Sequence, residues 1–460
     1  MVAPFDEEKA FAVCQRLLAA LERGELVLEQ VTAVSEERAG NGLMLGALVA
    51  LTSAGEELSL CTVSGISRRL RVTATAAATD AVCAAACTHA LPRYVEPIVS
   101  AAQRDRALAA NDDAIHALTA RIAAARDDAL RKQLEAERAA LCRQSLAKVN
   151  ALYAFHCADG RVRSLADVCA ERGVALPPTG TGDCCAPKLL DYAFAHGLQP
   201  VSLCEVYYGK ATPQKQQGLR YAPCASRCGI LLPVMLGLEI LYRDEHILVV
   251  NKQSGVLSVP GKVEKDCIVN RMKRLFPACI AQPAVHRLDM ETSGLLVLAF
   301  TAEAHRALSR QFEEGRVTKQ YVALVDGVLA EKHIPSHGCS ELYFRVDLDN
   351  RPHQIWDSVH GKKAVTEWQL VRVETYHAPG APHGDKGRAV TRVLFTPHTG
   401  RTHQLRLQAA DSHGFGVPIV GDTLYGTCAP GERLMLHAQY LSFTHPISGE
   451  PMEFTNTAPF

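Results

Sequence analysis

The 460-residue sequence predicts an α+β fold organised in several domains. In the second half, strand-like apolar runs and helical patterns do not alternate regularly, which favours α+β over a doubly wound parallel sheet. A stretch without proline or glycine, residues 100–155, separates two parts of mixed pattern. A hydrophobic content of 48% and a charged content of 21% are ordinary for a globular protein and exclude gross disorder.

Residues 1–95 are predicted to form a small mixed module. Apolar residues recur at helical spacing in 8–22, which indicates a helix. The apolar runs 43–49 and 58–63 flank a turn-like Ser-Ala-Gly-Glu sequence, which is typical of a β-hairpin.

Residues 96–156 are predicted to form a long helical arm, either one helix or a helical hairpin. Most of the residues between 100 and 155 are good helix formers, and apolar positions recur near every 3.5 residues with interruptions. Charge-laced helices are usually solvated faces, so a solvated arm is the plain interpretation. The alternative is a coiled coil that contacts RNA, ribosome or a second subunit.

Residues 157–235 are predicted to be a connector rich in Gly, Pro and Cys, with a loop at 177–182 and a helix at 186–196. Cys184 and Cys185 are adjacent, whereas Cys224 and Cys228 are spaced. A structural zinc site usually has two spaced Cys pairs or histidine partners, so the sequence favours buried thiols here and leaves zinc open. The chain has 16 scattered cysteines, which a reducing cytosol would keep as thiols.

Residues 236–460 are predicted to form the catalytic domain. The predicted strands are 240–242, 247–250, 295–300 and 321–325, and the predicted helix is 301–311. The runs 393–395 and 404–407 are compatible with a strand or a helix start.

The charges balance, with 49 Lys and Arg against 49 Asp and Glu. Residues 236–460 contain 24 of each sign, which leaves 25 of each before them. Bulk charge therefore argues against a basic RNA-coating module but allows a basic groove. The acidic start lacks a signal-peptide pattern and no apolar run reaches bilayer length, so we expect a cytoplasmic protein without a membrane partner, and a monomer.

Three polar segments stand beside apolar runs in the last domain. Asp289 lies in His-Arg-Leu-Asp-Met-Glu-Thr-Ser-Gly (286–294), Tyr321 in Thr-Lys-Gln-Tyr (318–321), and Arg401 and Arg406 in Thr-Gly-Arg-Thr-His-Gln-Leu-Arg (399–406). Singly, each has a plain interpretation as a turn carboxylate, a strand tyrosine or a surface charge. An arginine beside an apolar segment needs a carboxylate partner, and Asp289 is the first candidate.

Together these segments resemble the RluA family of RNA pseudouridine synthases. The resemblance covers about 239–456 in order and includes further matches at Asn251-Lys252, Ser254-Gly255, 363–366, 421–426, 437–439 and 443–446. It implies the pseudouridine synthase fold, a mixed and largely antiparallel sheet with flanking helices. Gln253 departs from the family pattern, where proline is usual. Residues 1–238 resemble, more weakly, the long N-terminal extension of some bacterial members.

The resemblance also implies the site. Asp289 matches the catalytic aspartate, Tyr321 the tyrosine that stacks on the target uracil, and Arg406, ahead of Arg401, the basic partner of the aspartate. Arg287 matches the arginine that helps to displace the target base. The remaining predicted RNA-binding residues are Lys252, Asn251, Lys363, Arg401 and Thr292.

The implied reaction isomerises uridine by breaking the N-glycosidic bond and rejoining the ring through C5. It needs no external group donor, so no cofactor and no metal are expected. The expected RNA is 23S ribosomal RNA, with tRNA as the alternative. A non-catalytic RNA-binding or ribosome-assembly factor is disfavoured by the intact Asp289, Tyr321 and Arg406 set. A hydrolase would need a second carboxylate or metal ligands at a recognisable spacing.

Overall fold

The computed structural model describes residues 3–31, 42–73, 91–175, 177, 180–382 and 385–460. The chain divides into two compact units, Met1–Glu239 and Ile240–Phe460. Within the described residues, no helix is long and apolar enough to cross a membrane. The second unit begins close to the predicted start of the catalytic domain, whereas the finer subdivision of the first at 95 and 156 stays a prediction.

A four-stranded sheet forms the centre of the N-terminal unit, in the order β5-β3-β2-β8. Its strands are β2 (Leu43–Leu51), β3 (Glu57–Val63), β5 (Arg93–Tyr94) and β8 (Gln199–Tyr208), and β1 (Leu26–Gln30) pairs separately with β4 (Arg68–Val72). Strands β2 and β3 are antiparallel, which confirms the predicted hairpin. Because β8 pairs with β2, the predicted N-terminal module and the predicted connector share one sheet.

The helices of this unit include the predicted α1 (Glu8–Glu22), whose apolar face is buried. The arm contains α2 (Ala101–Ala124) and α3 (Asp128–Asn150), and Asn111 of α2 donates to Ser145 of α3. The two helices are mutual neighbours, but a coiled coil stays a prediction. The remaining elements are β6 (Ala154–His156), β7 (Val162–Ser164), α4 (Leu165–Arg172), α5 (Cys185–Ala195) and α6 (Cys228–Leu236).

The C-terminal unit is built on a 10-stranded sheet among the described residues. Its main path has the order β14-β13-β15-β16-β12-β17-β11-β10-β9, and β18 pairs with β17. The strands are β9 (Glu239–Arg243), β10 (Ile247–Lys252), β11 (Ser293–Ala299), β12 (Thr318–Asp326), β13 (His337–Val346), β14 (Gln354–Trp356), β15 (Lys362–Tyr376), β16 (Arg388–Pro397), β17 (Leu436–Thr444) and β18 (Pro451–Thr455). The four predicted strands are confirmed as β9, β10, β11 and β12, and the 393–395 run lies in β16, whereas β13, β14, β15, β17 and β18 were not predicted.

Three helices flank this sheet: α7 (Ile268–Leu275), α8 (Ala302–Glu313) and α9 (Gln404–Ala410). Helix α8 confirms the predicted helix, and α9 resolves the 404–407 run as helical. Most strand pairs among the described residues of this sheet are antiparallel, but β11 and β17 are parallel. The sheet is thus mixed and largely antiparallel, as expected.

Gly294, near the start of β11, occupies a position that requires glycine. Its φ is +115°, and a Cβ there would lie 2.3 Å from the Ala438 carbonyl oxygen of β17. Only glycine tolerates both this backbone conformation and this approach. The close contact sets the position of β11, and with it the position of the loop that ends there.

Candidate active site

A cleft of about 510 Å³ opens in the C-terminal unit. Most of its lining comes from three segments: the 285–292 loop before β11, the start of β12 with Lys319 and Tyr321, and the 397–406 segment that leads into α9. The end of α8, with Phe312 and Glu313, also borders it. Asp289, Tyr321 and Arg406, which are far apart in sequence, all line this cleft. The fold therefore brings the three predicted catalytic residues together.

Hydrogen bonds to its backbone tie the loop that carries Asp289 to the 253–258 segment. The Ser258 hydroxyl donates to the Leu288 carbonyl at 2.8 Å, and the Leu288 N–H donates back to that hydroxyl at 3.0 Å. The Ser254 hydroxyl donates to the Glu291 carbonyl at 2.6 Å, and the Gly255 N–H donates to the Met290 carbonyl. These bonds on both sides of Asp289 restrict the position of its carboxylate.

Lys252 belongs to the same anchoring network, which corrects its predicted RNA-binding role. Its side chain is 0% exposed, and its Nζ donates to the carbonyl oxygens of Gln253, Val256 and Met290 at 2.9, 2.6 and 2.8 Å. Burial lowers the pKa of Lys252 to about 7, although the charge of Asp289 opposes this shift. The buried amino group, with its three carbonyl partners, therefore holds the loop in this structure instead of facing solvent.

His286 fixes the other end of the loop. Its Nε2 accepts the backbone N–H of Val297 at 3.1 Å, and its ring stacks on Phe312 with centroids 4.6 Å apart. Burial, assisted by the charge of Lys319, lowers the pKa of His286 to about 3. The imidazole is therefore neutral at physiological pH, as its acceptor role requires.

The Asp289 carboxylate itself is half-buried. Among the residues that the structure describes, no side-chain or backbone group forms a hydrogen bond or ion pair with it. Its electrostatic influence nevertheless reaches Lys252, Tyr321 and Arg406. The carboxylate is thus held by its backbone while its oxygens remain available to a substrate.

Arg406 is buried in α9 and lines the cleft, but its partners differ from the predicted one. Its Nε and Nη2 donate to the two carboxylate oxygens of Asp422 at 2.8 and 2.5 Å, and Nη2 lies 3.0 Å from Glu291. Burial disfavours its charged form, but these carboxylates and Asp289 more than offset that effect and raise the pKa of Arg406. A carboxylate that is fully buried and bidentate outcompetes a half-buried one for the guanidinium fork.

Tyr321 lies where β12 changes register against β17, next to Gln320. Its ring packs at the border of the core around Phe395 and is half-buried, and its hydroxyl has no hydrogen-bond partner in the described part of the chain. Burial, reinforced by the charge of Asp289, raises the pKa of Tyr321. A rigid, neutral aromatic ring in the cleft wall suits stacking against a planar base.

The other predicted RNA-binding residues fall into two groups. Arg287 and Arg401 are exposed in the cleft wall, and Lys363 is exposed on β15, where its carbonyl accepts from Arg401 Nε at 2.8 Å. Asn251 is half-buried on β10 opposite Leu295. Thr292 is only 2% exposed but borders the cleft, and its hydroxyl has no partner in the described chain, so its RNA contact stays a prediction.

Sequence reasoning missed the carboxylates that hold Arg406. Glu291 stands inside the 286–294 motif and Asp422 inside the 421–426 motif, yet neither received a role. The Thr423 hydroxyl donates to Glu291 at 2.6 Å, and the backbone N–H groups of Leu424 and Tyr425 donate to Asp422. A rule that every buried arginine needs a carboxylate could have directed attention to the acids within these motifs.

Comparison with known proteins is consistent with this geometry. A family described as RNA pseudouridylate synthase matches residues 246–411. The dual-specificity RNA pseudouridine synthase RluA of Escherichia coli (strain K12) is 42% identical over 228 residues, 48% of this chain and 94% of that protein. The protein of the same description from Haemophilus influenzae has the same identity and coverage.

Among solved structures, human RNA pseudouridylate synthase domain containing 1 is 32% identical, with a TM-score of 0.39. The alignment covers 48% of this chain and 84% of that one. The 42% identity extends over nearly the whole length of these bacterial relatives. Together with the ordered motifs around the cleft, it establishes the relationship. The chain belongs to the RluA family of RNA pseudouridine synthases and is an isomerase that acts on RNA.

Proposed function

We propose that the C-terminal unit converts specific uridines of structured RNA to pseudouridine with Asp289 as the catalytic carboxylate. The observation that carries this proposal is the free Asp289 carboxylate in a cleft shared with Tyr321 and Arg406. A second carboxylate, Glu313 at the end of α8, also lines the cleft, but no residue of the described part of the cleft belongs to a group that could hold a metal ion, so a metal-dependent hydrolase fits less well.

The reaction conserves every atom of the nucleotide. The N1–C1′ bond breaks, the uracil turns within the site, and a C5–C1′ bond forms. The proton lost from C5 is balanced by one gained at N1, so no external group donor is required. Asp289 can serve as a covalent nucleophile or as the base that removes a proton, and both routes need free carboxylate oxygens.

Access to the uracil requires the nucleotide to leave its stack, at a cost of a few kcal/mol. Tyr321 offers the extruded base a flat surface beside Asp289, and such stacking contributes about 1–3 kcal/mol. Arg287, exposed at the other end of the same loop, occupies the space that the base leaves. Arg401 and Lys363 contribute positive charge for the phosphate backbone.

We propose large-subunit (23S) ribosomal RNA as the target and tRNA as the alternative within the same chemistry. The bacterial relatives are described as dual-specificity enzymes. A test should therefore measure pseudouridine in both 23S RNA and tRNA. Pseudouridine-specific mapping of total RNA would compare cells lacking the protein with cells complemented by the wild type, by Asp289→Asn, or by the control Asp349→Asn. Asp349 is exposed and lies outside the cleft.

We expect specific sites to disappear in the deletion and to return with the wild type and Asp349→Asn but not with Asp289→Asn. Sites in 23S RNA would support the first target, and sites confined to tRNA would replace it. Full modification by Asp289→Asn would refute the catalytic assignment.

A further inference from the structure

Three cysteines converge in the N-terminal unit although 40 residues separate the first two. The Sγ atom of Cys184 lies 3.8 Å from that of Cys224, which lies 3.7 Å from that of Cys228. All three sulfur atoms are within 4.8 Å of one another. They form a compact triangle of thiols, which we call the cysteine triangle.

The fold places each sulfur at or just before the start of a helix. Cys184 is the N-cap of α5, and Cys228 is the first residue of α6. Cys224 lies directly before the turn that leads into α6. A helix N-terminus stabilises thiolates, the form in which cysteine binds metals.

The spacing of the triangle matches metal coordination. A tetrahedral zinc ion with Zn–S bonds of about 2.3 Å requires neighbouring sulfur atoms about 3.8 Å apart. A disulfide would instead require about 2.05 Å. Two of the three Sγ–Sγ distances, 3.8 and 3.7 Å, therefore match this requirement, and the third lies within 4.8 Å, close enough for all three sulfur atoms to bind one cation.

Other buried cysteines of the same unit are arranged differently. Cys61 donates to the Pro92 carbonyl, and Cys185, adjacent to the triangle in sequence, turns its sulfur to the Met44 carbonyl at 3.4 Å. Such thiols behave as small apolar side chains with a weak donor. In the triangle, by contrast, the Cys224 sulfur has the sulfur atoms of both Cys184 and Cys228 as its side-chain partners.

We propose that Cys184, Cys224 and Cys228 bind a thiophilic divalent cation, with Zn²⁺ as the principal occupant. Within the described residues, no fourth His, Cys, Asp or Glu belongs to the group. Cys224 is exposed, and Cys184 borders a cleft of about 310 Å³ lined by Asp183 and Arg227. The fourth coordination position therefore faces solvent and takes water or an exchangeable ligand.

The sequence favoured buried thiols for all four cysteines. The proposal replaces that expectation with metal binding for Cys184, Cys224 and Cys228, and keeps it for Cys185. One adjacent pair and one spaced pair do not form a standard zinc pattern, because the fold uses only one member of the adjacent pair. The cation would link the start of α5 to the turn before α6, and so join two segments of the N-terminal unit. Because binding ionises the thiols, affinity should increase with pH.

The first test uses the wild-type full-length chain, purified under reducing conditions without chelator from zinc-supplemented cells. We expect about one zinc per chain by elemental analysis, and release of that zinc on titration with a mercurial thiol reagent. After removal of zinc, Co²⁺ should produce sulfur-to-cobalt charge transfer and the intense visible bands of tetrahedral coordination. A zinc-free chain that gives no charge transfer with Co²⁺ would overturn the proposal.

The second test uses variants. The double variant Cys224→Ser/Cys228→Ser should lose the zinc and the cobalt charge transfer, whereas Cys142→Ser, at an exposed position of α3, and Cys185→Ser should retain both. Retention of zinc by the double variant would overturn the assignment. If the double variant fails to fold, the wild-type measurements still decide. A Cys224–Cys228 disulfide that persists in place of metal in the wild-type chain after treatment with a reductant would also overturn it.

Discussion

The two charged walls of the catalytic cleft are stabilised in opposite ways. On the 286–292 loop, the backbone is anchored at Leu288, Met290 and Glu291, while the Asp289 carboxylate has no hydrogen-bond partner in the described chain. On the 399–406 wall, the Arg406 side chain itself is fully engaged by Asp422 and Glu291. A group that must form bonds to a substrate is held by its backbone, whereas a group that supplies charge is held by its side chain.

This difference also explains why Arg406 does not form an ion pair with Asp289. A direct ion pair would occupy the carboxylate oxygens and would have to break before reaction. With Asp422 as its partner, Arg406 stays near Asp289 and contributes to the field of the site without blocking it. The cost of burying the guanidinium is offset by two hydrogen-bonded carboxylates.

The largest expected effect comes from removing the free carboxylate. Asp289→Asn preserves the volume and the loop contacts but removes the nucleophile or base, so we expect kcat to fall by at least about 10³-fold. RNA affinity, measured by filter binding, should change little because the carboxylate makes no phosphate contact. Substantial single-turnover activity in Asp289→Asn would show that the free carboxylate is not the reacting group.

Substitutions that disturb Arg406 on the 399–406 wall should reduce the stability of the protein as well as its activity. Asp422→Asn leaves the buried guanidinium with one carboxylate, and breaking such a pair costs about 3–5 kcal/mol in the free energy of unfolding. The double variant Arg406→Met/Asp422→Leu should recover much of that stability but not the activity. Recovery of both would mean that Arg406 has only a structural role.

The anchoring of the loop can be tested separately through Lys252. Lys252→Met removes three hydrogen bonds to carbonyl oxygens, and a displacement of about 1 Å at Asp289 can reduce kcat by up to about 10²-fold. The exposed Lys332→Met provides a matched control outside the cleft and should behave as wild type. If Lys252→Met raised KM for RNA without lowering kcat, Lys252 would contact RNA rather than hold the loop.

Tyr321 tests whether the ring or the hydroxyl matters. Because the hydroxyl has no partner in the described chain, Tyr321→Phe should lose less activity than Tyr321→Leu, which removes about 1–3 kcal/mol of stacking. Steady-state kcat/KM on an RNA substrate measures both variants. Equal losses would indicate that the hydroxyl participates in the reaction.

The lowered pKa of His286, on the 286–292 loop, predicts that the stability of the fold depends on pH. Its pKa of about 3 in the folded chain lies below the ordinary value of 6.5, so the unfolded chain binds up to about one more proton between these values. The free energy of unfolding should therefore decrease as the pH falls from 6.5 towards 3. Near neutral pH the His286 ring is neutral in both states, so its titration does not make stability depend on pH there. His286→Gln, which keeps an acceptor for Val297, should show a shallower decrease in thermal midpoint over this range. An unchanged slope would contradict the assignment.

Much of the catalytic unit was accessible from sequence because its motifs are local. The strands around Ile247–Lys252 and Ser293–Ala299 have continuous apolar runs, and each predicted catalytic residue stands inside a recognisable segment. The sequence did not predict which polar side chains the fold buries. Lys252 and Thr292 were both predicted to bind RNA, yet the fold buries both, and of the two only Thr292 also lines the cleft. Local sequence carries no direct record of that burial.

The amino-acid sequence by itself determined the family, the reaction class, the predicted catalytic residues Asp289, Tyr321 and Arg406, and the strands β9, β10, β11 and β12 of the catalytic sheet. Only the tertiary structure decided the partners: Asp422 and Glu291 for Arg406, three carbonyl oxygens for Lys252, and Cys184, Cys224 and Cys228 for one another. The physical reason is that hydrophobic periodicity and compact motifs are short-range properties of the chain. Ion pairs, buried hydrogen bonds and clusters of thiols depend on distances that exist only after distant segments have packed together.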